Sequence, residues 1–279
     1  MADELSWISP YGGLGDALML AGVLKQVTEH VPGRRFHLIT RTKYPPFFTG
    51  HPAIARIGHP PADATVIRTD YWSTPEYRSG EWRGYQVLAH IFGLPTPVKE
   101  TLYVPWDFQD DPLLVAQLPA GRYRVAIAPS TDSVRKQWPA EQWAQLVAKL
   151  KAEGIAVFQL GRRTDPYIRG ASSFLGMTSP QQAVNLLRHA DVVVAQDSFF
   201  MHAAHLLAIP AVVLWGGTRA RTYGYATQHH LEPVRTCETP QGCVEAGGVY
   251  HELCPHGEAF CMKVIAVDAV FDRVMDPLK

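Results

Sequence analysis

Residues 191–216, DVVVAQDSFFMHAAHLLAIPAVVLWG, decide the fold of this chain. Asp191 to Ala195 is an apolar, β-branched run of strand length. Ser198 to Leu207 is a helix-sized stretch of small and apolar residues, and Ala211 to Trp215 is a further buried strand. Strands alternating with helices in this way imply a parallel, doubly wound sheet.

The alternation continues outward. Tyr123 to Ala128 reads as a strand after the polar turn at 119–122. Pro139 takes a first helical position, and Trp143, Leu146, Val147 and Leu150 then fall at i, i+3, i+4 and i+7 until Gly154. Ile155 to Leu160 is the next strand, and Ser179-Pro180-Gln181-Gln182 has the form of a capping box opening a helix that runs to His189. Near the start, Leu5 to Ser9 is a strand, Ala17 to Val31 a helix and Phe36 to Thr40 a strand. From Tyr44 to Val104 the chain is aromatic and proline-rich and offers only brief strands such as Thr65 to Arg68. The length of 279 residues suits two α/β domains, and the turn at 119–122 places their boundary: 1–118 and 119–279.

Lys+Arg and Asp+Glu each total 26, so no overall field draws the protein to nucleic acid or an anionic membrane. An anionic ligand must be held locally. The first twenty residues carry three acidic groups and no basic n-region, and no apolar segment reaches the length of a signal peptide core or a membrane span, so a cytoplasmic protein is expected.

Three polar loops follow strands. Gly12-Gly13-Leu14-Gly15-Asp16 joins a strand to a helix, where glycines let the backbone approach a ligand and free amides favour an anion. Asp16 stands at the carboxyl edge of its strand, where open α/β sheets bind ligands, and both a capping and a catalytic reading stay open. Residues 129–139 offer Ser130, Thr131 and the adjacent cations Arg135 and Lys136, an inventory suited to phosphate but equally to a solvated turn. In Asp197-Ser198-Phe199-Phe200-Met201-His202 a helix start would aim its amides at a diphosphate, with His202 four residues after Ser198 on one face. An N-cap followed by a core histidine is the plainer alternative.

Taken in order, these stretches resemble glycosyltransferase family nine, the bacterial heptosyltransferases that use ADP-heptose. The family's G-x-G-D loop matches Gly13-Leu14-Gly15-Asp16. Its hydroxyl-rich loop ending in a cation, any residue, Trp and Pro matches Ser130-Thr131 through Lys136-Gln137-Trp138-Pro139, and its Asp-Thr/Ser-x-x-x-His element matches Asp197, Ser198 and His202. Phe199 stands where the family usually has Gly, and the first half of the chain is short.

The resemblance implies a GT-B architecture of two Rossmann-like domains with a cleft between them. The first is the acceptor side, the second the nucleotide-sugar donor domain, and a last helix at Val267 to Met275 packs back on the first. It implies inverting transfer of a heptose-like sugar from an ADP-linked donor to a hydroxyl of a glycan, a protein or a small molecule. Asp16 is then the base, and Lys136 with the helix start at Ser198 steadies the leaving diphosphate. Gly13, Gly15, Ser130, Thr131, Asp197, Ser198 and His202 would hold the donor. The chemistry needs no cofactor in this scheme, and no nucleic-acid partner or membrane span is expected, with peripheral membrane contact left open. A nucleotide-sugar epimerase on the same fold, or a nucleotide-sugar or glycan-binding protein without catalysis, are the other readings.

All four cysteines, Cys237, Cys243, Cys254 and Cys261, fall within one segment, with His251 and His256 among them. Four thiolates so confined can close a tetrahedral zinc or iron site, plain reduced thiols or adventitious disulfides being the alternatives. The cluster is similar to the C-terminal iron-binding cysteines of autotransporter heptosyltransferases. Such an ion would be structural, because four protein ligands leave no open position.

Overall fold

The computed structural model describes residues 5–40, 45–233, 242–244, 251–256 and 260–279, and divides into two compact units, Met1–Asp107 and Phe108–Lys279. The turn at 119–122 lies within the second unit. The segment before it belongs there because Arg188 donates to the Phe108 carbonyl at 2.7 Å and Gln182 to Asp111 at 3.1 Å.

The first unit starts with strand β1 (Trp7–Ser9) and helix α1 (Leu14–His30), followed by β2 (Phe36–Ile39), β3 (Ile54–Gly58), β4 (Val66–Arg68) and helix α2 (Gly84–Ile91). Its four strands are all parallel in the order β3-β2-β1-β4. Helix α1 buries Leu18, Leu20, Val23, Leu24 and Val27, each side chain contributing about 1.5–3 kcal/mol on leaving water. At Gly22 the helix passes so close to the carbonyl of Thr101 that an added Cβ would stand 2.1 Å from it. Buried His51 pins the β2–β3 connection to this helix: Nε2 donates to the Ala21 carbonyl at 2.9 Å while Nδ1 accepts from Ala53 N–H at 3.1 Å. Burial lowers the pKa of this imidazole to about 4, so it is neutral at neutral pH.

The second unit runs β5 (Arg124–Ala128), α3 (Ala140–Ala152), β6 (Ala156–Gln159), β7 (Ser172–Ser173), α4 (Pro180–Leu187), β8 (Val192–Gln196), α5 (Phe199–Leu206), β9 (Ala211–Leu214), β10 (His229–Leu231) and α6 (Val267–Met275). Six parallel strands take the order β10-β9-β8-β5-β6-β7. Central strands β8 and β9 are buried throughout, which explains why they read as continuous apolar runs rather than alternating ones. The expected helix stripe is in place, Trp143, Leu146, Val147 and Leu150 all being buried on α3, and Ser179 caps α4 by accepting from Gln182 N–H while Gln182 accepts from Ser179 N–H. Helix α6 has the expected bounds, and Val270 and Val274 pack in the core of the second unit beside α3 and β9.

Candidate functional site

Chain order reverses once in each sheet, and a reversal opens a crevice at the carboxyl ends of the flanking strands. In the second unit it falls between β5 and β8, with Ala128 paired to Ala195. The loops leaving those two strands carry Ser130, Thr131 and Lys136 on one side and Asp197 and Ser198 on the other, so the topology brings together the residues that the sequence places on separate loops.

Lys136 ends a short 3-10 turn, Val134–Lys136, and its Nζ lies 3.2 Å from Asp197 Oδ2. Both are buried, 6% and 7% exposed, and Thr218 donates its hydroxyl to the same Asp197 oxygen at 2.7 Å. Asp197 therefore anchors Lys136 from within the protein. The lysine is not the solvated surface cation that a polar loop suggests. Its neighbour Arg135 is also buried but turns elsewhere: it donates to the carbonyls of Glu252 at 3.0 Å and Leu253 at 2.7 Å and approaches Cys243 Sγ at 3.6 Å.

Ser130 and Ser198 each bury a hydroxyl that has no hydrogen-bond partner among the described residues. Ser198 stands just ahead of α5 in extended geometry, φ −160° and ψ 175°, and its side chain makes no capping bond. The reading that put Ser198 inside the helix, stacked one turn from His202, is thus corrected, since the helix begins at Phe199. His202 faces the interior, Nδ1 lying 2.7 Å from the Tyr225 hydroxyl, and burial lowers its pKa to about 4. It braces α5 as a neutral ring. Gln196, buried at the end of β8 and absent from the sequence reading, spans the loop after β5: its amide nitrogen faces the Pro129 carbonyl at 3.1 Å and its oxygen the Trp138 N–H.

In the first unit the reversal falls between β1 and β4. Asp16 lies in the first turn of α1, with Oδ2 accepting from Gly13 N–H at 2.7 Å and Oδ1 from the Tyr71 hydroxyl at 2.7 Å. It caps the helix and yet stays half-buried at the carboxyl edge, so the two readings of Asp16 are compatible in one geometry. The glycine the turn demands is Gly12, at φ +89°, where a Cβ would stand 2.2 Å from Asp16 Oδ2. Gly13 is the residue before the helix and Gly15 its second residue.

Cys237 lies outside the described residues. Cys243, Cys254 and Cys261 are half-buried, and no three His, Cys, Asp or Glu side chains among the described residues are placed to hold a metal ion. The thiolate site expected from the cysteine spacing is therefore not assembled from the described residues alone. No helix among them is long and apolar enough to cross a membrane.

A sequence profile described as glycosyltransferase family 9 (heptosyltransferase) matches residues 71–251. No curated protein matches the chain. Among solved structures, the bacterial iron-containing dodecameric glycosyltransferase TibC from enterotoxigenic E. coli H10407 is 20% identical, with a TM-score of 0.78 over 99% of this chain and 76% of its own. The same enzyme solved with ADP-D-β-D-heptose gives 0.76 at the same identity and coverage. The E. coli ADP-heptose LPS heptosyltransferase II is 15% identical, TM-score 0.65, over 98% of both chains. A family 9 glycosyl transferase from Veillonella parvula is 13% identical, TM-score 0.68, over 99% of this chain and 98% of its own. Identities this low speak to the fold, which is the two-unit, parallel-sheet GT-B arrangement.

Proposed function

The chain belongs to glycosyltransferase family 9, and from that premise we propose that it moves a heptose-like sugar from an ADP-linked donor to an acceptor hydroxyl with inversion. The observation that carries this reading is the pair of buried hydroxyls, Ser130 and Ser198, that have no partner among the described residues and lie on adjacent strand ends beside Lys136. A buried hydroxyl without a partner costs about 1–3 kcal/mol, a cost that a ligand's oxygen would relieve.

In this proposal the second unit binds the donor: Ser130, Thr131 and Ser198 meet diphosphate oxygens, the N–H groups opening α5 and the Lys136 charge face the negative charge, and Asp197 and His202 keep the loop and helix in place. Gly13 and Gly15 shape the loop that presents Asp16 on the acceptor side. Asp16 takes the proton of the acceptor hydroxyl, and the freed oxygen pair forms a bond to the anomeric carbon. The bond from that carbon to the diphosphate oxygen breaks, and its electron pair leaves with ADP, stabilised by Lys136 and the helix amides. Attack opposite the leaving group inverts the anomeric centre.

The acceptor is a glycan, a protein or a small molecule. We place the reaction in the cytoplasm, a reducing compartment that suits the free thiols of Cys243 and Cys254. A structural zinc or iron held by Cys237, Cys243, Cys254 and Cys261 is part of the proposal. It is supported by Arg135 drawing Cys243 and Leu253 together and by Cys261 packing against Gly216. Elemental analysis of protein purified without chelator tests it, and metal-free protein of full stability would leave the four as reduced thiols.

Incubation with ADP-heptose and candidate acceptors, followed by ADP release and NMR of the product anomer, tests the main reading. Transfer with inversion supports it. Donor bound without turnover would make this a binding protein, and a released sugar with altered stereochemistry would make it an epimerase.

A further inference from the structure

We infer that Tyr71 is a positioning residue for Asp16, holding its carboxylate in one orientation for the acceptor proton and keeping Asp16 ionised to lower pH. The inference rests on the reading of Asp16 as the base. Tyr71 opens the turn Tyr71–Ser73 directly after β4, and β4 pairs with β1, whose loop leads to Asp16. Sheet adjacency, not sequence proximity, brings the two together across 55 positions.

The phenol is 2% exposed and is held by edge contacts with Tyr77 and Trp72, ring centroids 5.6 and 5.1 Å away. Its hydroxyl donates to Oδ1 at 2.7 Å, while Gly13 N–H donates to Oδ2 at 2.7 Å. One donor on each oxygen means that rotation of the carboxylate breaks both bonds. Each donor also favours the charged form, because a protonated carboxyl accepts more weakly. The ionisable groups on β4 and just after it, Arg68 and Asp70, pair with each other. Arg68 stacks over the Tyr11 ring at 4.7 Å and bonds Asp70 at 3.0 and 3.1 Å.

The test is the pH profile of kcat/KM for Tyr71→Phe, an isosteric change that removes one oxygen. The acidic limb should move upward by about 0.5–1 pH unit, with kcat near neutral pH down about 3–10-fold and donor KM unchanged. Tyr77→Phe, which keeps the packing, should leave the limb in place. Should Tyr71→Phe not fold, 3-fluorotyrosine at position 71, a stronger donor, should move the limb downward instead. An unmoved limb in the Tyr71 variants, with Asp16→Asn inactive, overturns this role for Tyr71 while leaving the base reading intact. Full turnover in Asp16→Asn removes the base reading itself.

Discussion

Both units place polar side chains at the carboxyl edge where their strand order reverses, and they treat those groups in opposite ways. In the first unit the Asp16 carboxylate has a protein donor on each oxygen. In the second, the Ser130 and Ser198 hydroxyls are buried without a partner among the described residues, next to an ion pair whose lysine is already held. A group that must move a proton along one direction gains from being fixed before the substrate arrives, whereas groups that bind an anion gain from keeping donors in reserve. On the proposed function the contrast separates a chemical half from a holding half, and it can be broken at several points.

The largest effect belongs to the chemical half. Asp16→Asn should cut kcat by about 10²–10⁴-fold, roughly 3–5 kcal/mol of barrier, while ADP affinity measured by calorimetry stays near the parent value. Retained turnover would reduce Asp16 to its helix-capping bond with Gly13.

Next comes acid stability, because each unit buries one neutral histidine, His51 and His202, each with its pKa lowered from 6.5 to about 4. Below pH 6.5 the unfolded chain binds protons that the folded chain refuses. Stability is therefore full above about pH 6.5 and falls as pH drops towards 4, by at most about 3 kcal/mol per histidine. Urea melts across that range should show the slope, and His51→Gln or His202→Gln should each flatten it. A slope indifferent to both would place the titration elsewhere.

Lys136→Ala should weaken ADP binding by about 1.5–3 kcal/mol and also lower the melting temperature, since it leaves the Asp197 charge buried with the Thr218 hydroxyl in place of its counter-ion. A lower melting temperature with unchanged ADP affinity would make the pair a structural rivet only.

The smallest effect is the most discriminating. Ser130→Ala and Ser198→Ala should each lose about 0.5–1.5 kcal/mol of ADP affinity while leaving stability equal or slightly raised, because no hydrogen bond to a described residue is removed. If stability falls and affinity holds, the distinction between the two halves collapses.

Much of the second unit was legible in the sequence because its helices present single apolar faces and its strands are buried on both sides. Trp143, Leu146, Val147 and Leu150 announce α3. The first unit hid β3 and α2. β3 is short and carries Arg56, whose guanidinium lies over the Trp7 ring, a packing that no apolar pattern reveals. Helix α2 starts at Gly84 with no side-chain cap from Arg83 to mark it. At the site, the order of the loops was readable because each follows a strand. The partners were not: Tyr71 reaches Asp16, and Thr218 reaches Asp197, only through the lateral order of strands. Gln196 has no motif to betray it, since its part is to bridge two backbone groups.

Arg135 has a consequence for how the molecule is made. Its guanidinium takes hold of Glu252 and Leu253, 117 and 118 positions downstream, and three residues further on Trp138 donates to the Ile265 carbonyl at 3.0 Å. During synthesis the loop bearing Lys136 thus emerges long before the peptide groups that clamp it. While the chain is still attached to the ribosome, that loop has its strand but not its fastening, and the second unit is completed only once Glu252, Leu253 and Ile265 have emerged.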